Sequence, residues 1–229
     1  MRDPLTRTLL VLTFVTGIID AVSFLALGQV FAAMQTGNVV FLGLGIADVS
    51  GAPVLAPLIA LAAFLAGGSA AALLTRQMSP ESGNGLQAAM AAEIGLLVIA
   101  AMLAALANVE PGELVAYLLI AILSVAMGLR NTIARRIGDP NLATTVLNLT
   151  LSAFTSHTPT GIASEGELVL RGAAIAAILA GAIAGALLLK VSLAMAIAAA
   201  AAMVVAAAVS DQGSRRMSTP ASSGASPSR

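Results

Sequence analysis

Long apolar runs separated by short polar breaks make up most of the chain, and their lengths set the first expectation. Six runs carry few or no charges: Leu5 to Leu27, Pro53 to Leu74, Leu86 to Ala107, Leu114 to about Ala134, Leu168 to Leu189 and Val191 to Val209. Each reaches the roughly 17–25 residues that a helix needs to cross a hydrocarbon core. Two further runs, Ala33 to Ala47 and Leu142 to Phe154, are too short for that. They are predicted to re-enter the membrane or to form broken half-helices, which are tolerated only where their free backbone groups face protein or a wet cavity. The predicted fold is therefore all-α, a polytopic transmembrane helix bundle of about six spanning helices plus two short re-entrant or broken helices. The first run follows Arg2 and could pass for a signal peptide. It continues past Asp20 to Leu27 without a small-residue cleavage site, so a retained first span is expected. The last two runs are broken apart only by Lys190 and Ser192, which predicts a tight hairpin with no Gly or Pro to mark it.

The polar interruptions repeat. Gly17-Ile-Ile-Asp20-Ala in the first span matches Gly128-Leu-Arg-Asn131-Thr in the fourth, 111 residues later. A short polar-broken piece follows each, Gln35-Thr36-Gly37-Asn38-Val39 and then Leu147-Asn148-Leu149-Thr150-Leu151, and two further spans complete each half. A single transmembrane domain over residues 1–209 is expected, with one copy over about 5–107 and a second over about 114–209. Three full spans per copy is an odd number, so the second copy would enter from the opposite face, giving an inverted internal repeat. Residues 210–229, rich in Ser with Pro220, Pro227, Arg215 and Arg216, read as a disordered cytoplasmic tail.

Charge bears on orientation. With both termini cytoplasmic, Arg2, Arg7, Arg76, Arg130, Arg135, Arg136, Arg171, Arg215, Arg216 and Arg229 fall on or near the inside and Lys190 falls outside. A full crossing by Leu142 to Phe154 would carry Arg171, Arg215 and Arg216 outside, which favours six spans. A multi-pass protein of the cell inner membrane is expected.

Composition fixes the solvent. The 229 residues are 59% hydrophobic and 10% charged, with a mean hydropathy of +0.98, more apolar surface than a soluble core of this size could bury. The lipid bilayer is thus the principal partner. Formal net charge is zero and no nucleic-acid surface is expected. The absence of Cys excludes disulfides and thiol catalysis. No phosphate-binding loop, metal-ligand spacing or nucleophile elbow occurs, so neither ATP-driven transport nor hydrolysis has a carrier. No enzyme activity, cofactor or metal is expected. Gly67-Gly68 and Gly181 to Gly185 let helices approach closely and read as packing, with homo-oligomer formation as the alternative.

The candidate substrate-binding residues are Asp20, Thr36, Gly37, Asn38, Arg130, Asn131, Asn148 and Thr150. An unpaired Asp at membrane depth costs about 2.5–3.5 kcal/mol on insertion scales, so Asp20 is either a proton or cation site or a structural carboxylate paired with Arg130. Thr36-Gly37-Asn38 either opens a half-helix toward a solute, with Asn and Thr as good N-caps, or stabilises its own turn. Asn148 and Thr150 carry the same two readings. Glu93 in the third span reads as a snorkelling or bundle-facing structural acid, or as a coupling acid. His157, in a loop, reads as solvated rather than as a pH sensor.

The joint pattern of Gly17, Asp20, Ala21, Phe24, Leu25, Leu27, Gly28, Val30 and Phe31, then Thr36, Gly37, Asn38, Val40, Leu42 and Gly43, continues into the second half. There it is carried by Gly128, Asn131, Arg135, Arg136, Gly138, Thr144, Thr145 and Val146. This resembles the YoaK-like bacterial integral membrane proteins, the domain of unknown function 1275. Arg130 stands where that family usually has Gln, and Asn148-Leu149-Thr150 replaces a second Thr-Gly-Asn-like triplet. The resemblance implies a polytopic membrane protein of the kind loosely labelled a permease, with no substrate attached. Two functions follow as expectations. One is a secondary transporter or permease of a small solute or ion, proton- or cation-coupled through Asp20; the other is a non-transporting structural or lipid-interacting protein whose polar residues lock the helices together.

Overall fold

The structure, a computed structural model, describes residues 4–49, 51–74, 84–137 and 165–218. These residues form seven helices: α1 (Pro4–Ala26), α2 (Gln35–Ile46), α3 (Leu55–Leu74), α4 (Asn84–Leu106), α5 (Leu114–Ile137), α6 (Glu165–Leu189) and α7 (Leu193–Ser218). All except α2 are long and apolar enough to cross a membrane. The fold is thus a polytopic helical bundle, and its six long helices fall where the six apolar runs predicted them. Of the two short pieces, Ala33 to Ala47 becomes α2; Leu142 to Phe154 lies outside the described residues.

α2 enters and leaves by one face. Its 12 residues rise only about 18 Å. Leu27 to Gln29, just after α1, and Gly51 to Ala56, leading into α3, line one cleft of 280 Å³ together with Pro111, Gly112 and Tyr117. The chain therefore comes back to the end of the bundle from which it departed. Gly28 at φ 112 and Gln29 at φ 55 make the reversal. The first of these backbone conformations is natural only for glycine, and the Gln29 amide closes the turn on the Phe24 carbonyl at 3.1 Å. From there the linker descends among the helices, burying Leu27, Val30 and Ala32, before α2 climbs back beside α3.

The long helices pair across the chain rather than along it. The most extensive contacts are α1 on α6 and α3 on α5; α7 packs on α1 and α4, and α4 packs on α5. Glycine permits the two closest crossings. A Cβ on Gly17 would overlap the Ile178 carbonyl and crowd the Ala182 amide on α6; one on Gly128 would overlap the Phe64 carbonyl and crowd the Gly68 amide on α3. In the same way Gly181 leaves room for the Phe14 carbonyl, and Gly67 for that of Val125. α1 and α5 are the most enclosed spans, with Ile18, Ile19, Leu119, Ile120, Leu123 and Met127 all buried. Outward-facing Leu65, Leu106, Leu118, Leu179 and Leu187 are left for lipid.

The expected disordered tail needs a correction. α7 remains helical to Ser218, and Asp211 is buried against α4. There its carboxylate accepts from the Gln87 amide at 3.2 Å, while the Gln212 amide donates back to the Gln87 side-chain oxygen at 2.6 Å. Residues 219–229 lie outside the described residues. The unmarked hairpin between α6 and α7 has its signal in Ser192, whose hydroxyl caps α7 by accepting from the Met195 amide at 3.0 Å.

Candidate functional site

Polar groups inside a six-span bundle must find partners within the protein, and two adjoining groups of them occupy the interior around α1. In the first, the descending linker has no helix to satisfy its amides, and side chains replace it. Three successive backbone N–H groups are taken: Phe31 donates to Asn38 Oδ1 at 2.9 Å, Ala32 to Ser23 Oγ at 3.2 Å and Ala33 to Asp20 Oδ1 at 2.8 Å. Asn38 completes the set, donating through Nδ2 to the Phe31 carbonyl at 2.6 Å and to Gln35 Oε1 at 2.8 Å. Phe24, Phe31 and Phe41 cluster beside it, with centroids 5.2 Å apart for the first two and 6.1 Å for each of the other pairs. Asp20, Ser23 and Asn38 thus hold the re-entrant segment by its backbone.

The second group is ionic. Arg130 on α5, 5% exposed, donates through Nη1 to Glu93 Oε1 on α4 at 2.8 Å, and Glu93 is fully buried. Its Nη2 turns to α1, donating to Thr16 Oγ1 at 2.7 Å, with Met127 Sδ at 3.0 Å. The Thr16 hydroxyl in turn donates to the Leu12 carbonyl at 3.0 Å. Thr16 precedes Asp20 by one helical turn, about 6 Å along the same face, and Asp20 lies within electrostatic reach of Arg130. Two carboxyls therefore share the field of one guanidinium. Asp20 Oδ2 and Glu93 Oε2 are both buried and accept no hydrogen bond.

This geometry rearranges the expected site. Asp20 feels the charge of Arg130, but the ion pair is Arg130 with Glu93 rather than with Asp20, because α4 packs extensively on α5 whereas α1 and α5 only touch. Glu93 faces the bundle, one of the readings the sequence allows, and its pairing with Arg130 is not legible in the sequence. Thr36 and Asn38 do not cap α2: the N-cap residue is Met34, which makes no side-chain cap bond. Thr36 points outward and is exposed, while Gly37 sits against the Phe31 ring with no room for a Cβ. Asn131, next to Arg130, is half-buried. Asn148 and Thr150 lie outside the described residues. Thr16 and Ser23 join the site without having stood out as candidates in the sequence. Their signal was a hydroxyl one turn before Asp20 and another three residues after it. Among the described residues no group of three or more His, Asp or Glu is arranged to hold a metal ion.

The model for the family described as "Protein of unknown function (DUF1275)" matches residues 8–210, nearly all of the transmembrane domain. The chain belongs to the DUF1275 family. Among curated proteins it is similar to the UPF0700 transmembrane protein YoaK of Bacillus subtilis (strain 168), with 33% identity over 150 residues, 65% of this chain and 65% of that relative. The match thus spans somewhat under two thirds of the relative's length. No solved structure matches. For this DUF1275 member, the matched family region covers both polar groups and reaches all six long helices, from Thr8 in α1 to Ser210 in α7.

Proposed function

We propose that the protein is a secondary transporter of a small solute in the cell inner membrane, built from two inverted copies and coupled to a proton or cation through Asp20. The observation that carries this reading is the buried set Asp20, Arg130 and Glu93, in which two acids face one base at the centre of a six-span bundle. Packing alone gives no reason to retain such an imbalance, since buried ion pairs are at best weakly stabilising and an uncompensated charge is costly. Ionisable groups so placed typically mark ion and proton pathways.

The inverted repeat is supported by the glycine crossings. Moving the contact of Gly17 with Ile178 and Ala182 by 111 positions on one helix and 114 on the other gives the contact of Gly128 with Phe64 and Gly68. The same shifts carry Phe14 against Gly181 onto Val125 against Gly67. Gly37, Asn38 and Asn131 would flank the solute path. No catalytic step is assigned, and the protein is not proposed to be an enzyme.

The test is flux through purified protein in proteoliposomes loaded with a trapped pH dye, challenged with a panel of small organic acids, amines, sugars and inorganic ions. At least one solute is expected to move protons in the wild type and not in Asp20→Asn. If every solute leaves the dye unchanged and none is taken up, transport is refuted. A structural role is favoured by one observation, the use of Asp20, Ser23 and Asn38 as acceptors for the linker amides. Under that role Asp20→Asn lowers thermal stability in detergent and alters no flux.

A further inference from the structure

We infer that Asp20 and Glu93 share a single proton and that Arg130 is the counter-ion that pairs with whichever of the two lacks it. This deepens the transport reading by naming how its charge is carried, and it rests on that reading for its use. Three observations meet here. Arg130 grips Glu93 through one tooth only, Nη1 to Oε1 at 2.8 Å, although a guanidinium and a carboxylate can pair by two. Its other nitrogen is held on the Asp20 face of α1 by the Thr16 hydroxyl at 2.7 Å, so the side chain already reaches toward the second acid. Each acid has one buried oxygen with no hydrogen bond, Asp20 Oδ2 and Glu93 Oε2, where a proton could reside.

Charge decides how many protons. With both acids ionised the cluster carries one negative charge in excess, which a low-dielectric interior penalises heavily. One proton makes it neutral. In the observed arrangement Arg130 is committed to Glu93, so the proton belongs on Asp20 Oδ2, leaving Oδ1 to accept the Ala33 amide. In the alternative arrangement the proton sits on Glu93 and Arg130 pairs with Asp20. The exchange moves one proton and one guanidinium in opposite senses and conserves net charge. Because Asp20 also holds the linker that leads into α2, the exchange would change the grip on the re-entrant segment.

Other charged groups do not disturb the count. On the elements packed against α4, the charged residue of α7 with a described side chain is Asp211, which is engaged with Gln87 six positions before Glu93. Arg135, toward the end of α5, is exposed. Against α1, Arg171 of α6 lies seven positions, about two turns, before the Ile178 that meets Gly17, and Arg7 is exposed near the start of α1 itself.

Infrared difference spectroscopy of the purified protein in detergent, with no solute present, tests this through the carbonyl stretch of protonated carboxylic acid. One buried acid per chain is expected in the wild type. The signal should vanish in Asp20→Asn and equally in Glu93→Gln, because either variant leaves one carboxylate for one guanidinium. In Arg130→Gln it should roughly double. A signal that survives in Glu93→Gln at wild-type intensity, or is absent from the wild type, overturns the shared proton. Size-exclusion profiles and melting curves of the same samples report folding; should Arg130→Gln fail to fold, the two isosteric variants decide alone. Loss of the signal pattern with solute flux intact refutes the shared proton only, whereas the pattern without any flux refutes transport only.

Discussion

At the scale of single residues, the interior is governed by the cost of an unsatisfied polar group. Asn38 answers three needs at once, the Phe31 amide, the Phe31 carbonyl and Gln35 Oε1. Asn38→Leu keeps a similar volume but orphans both backbone groups, so it should destabilise the protein by about 2 kcal/mol or more, read as a lower unfolding midpoint in detergent. The ion pair has a different signature. Arg130→Met strands Glu93 and should cost about 3–5 kcal/mol, while Glu93→Met with Arg130→Met should recover most of that loss, because two apolar side chains need no partner. A double variant no more stable than the single one would mean that Arg130 is held chiefly by Thr16 rather than by Glu93. Asp20 and Arg130 stood out in the sequence as polar residues in apolar runs, but their partners did not. Glu93 lies 37 residues from Arg130, and which of them meet depends on how each helix is rotated.

At the scale of elements, that rotation is what the chain hides. A span that is apolar on every side carries no periodic signal for its buried face, unlike an amphipathic helix in a soluble protein. Length alone was enough to locate the six spans and to mark α2 as too short, and polar residues flagged the descending linker; the pairing of α1 with α6 and of α3 with α5 had no comparable mark. Small residues came nearest to one. Gly17 and Gly128 each face a backbone carbonyl that cannot yield as a side-chain tip would. Gly17→Val and Gly128→Val should therefore each destabilise by about 1–3 kcal/mol or more, and by similar amounts if the two crossings are equivalent. Gly95 on α4 gives the contrast, since a Cβ there meets nothing within 4 Å. Gly95→Ala should raise stability by up to about 1 kcal/mol through helix propensity alone. Thermal unfolding of the three variants side by side checks both signs, and a destabilised Gly95→Ala would mean that this face of α4 packs against something the bundle does not include.

At the scale of the whole molecule, the question is which ends of the helices share a face. One cleft gathers the residues after α1, before α3 and around the α4 to α5 turn, while Gln87 near the start of α4 bonds to Asp211 and Gln212 near the end of α7. Carried through the six spans, these two clusters place Asp48, Glu113 and Ser192 at one face and Arg135 and Gly213 at the other. The Arg residues then predict which face is outside. Because the chain has no Cys, each position can be tested by a single substitution without removing any other thiol. In intact cells a membrane-impermeant maleimide should label Asp48→Cys, Glu113→Cys and Ser192→Cys, and should label Arg135→Cys and Gly213→Cys only after the membrane is opened. Labelling of Asp48 and Glu113 from opposite sides would mean that the α3 and α4 hairpin does not return the chain to its starting face. Labelling of Glu113 and Ser192 from opposite sides would add or remove a crossing in the second half. Either result destroys the odd count of spans per copy, and an inverted pair of halves is impossible without that count.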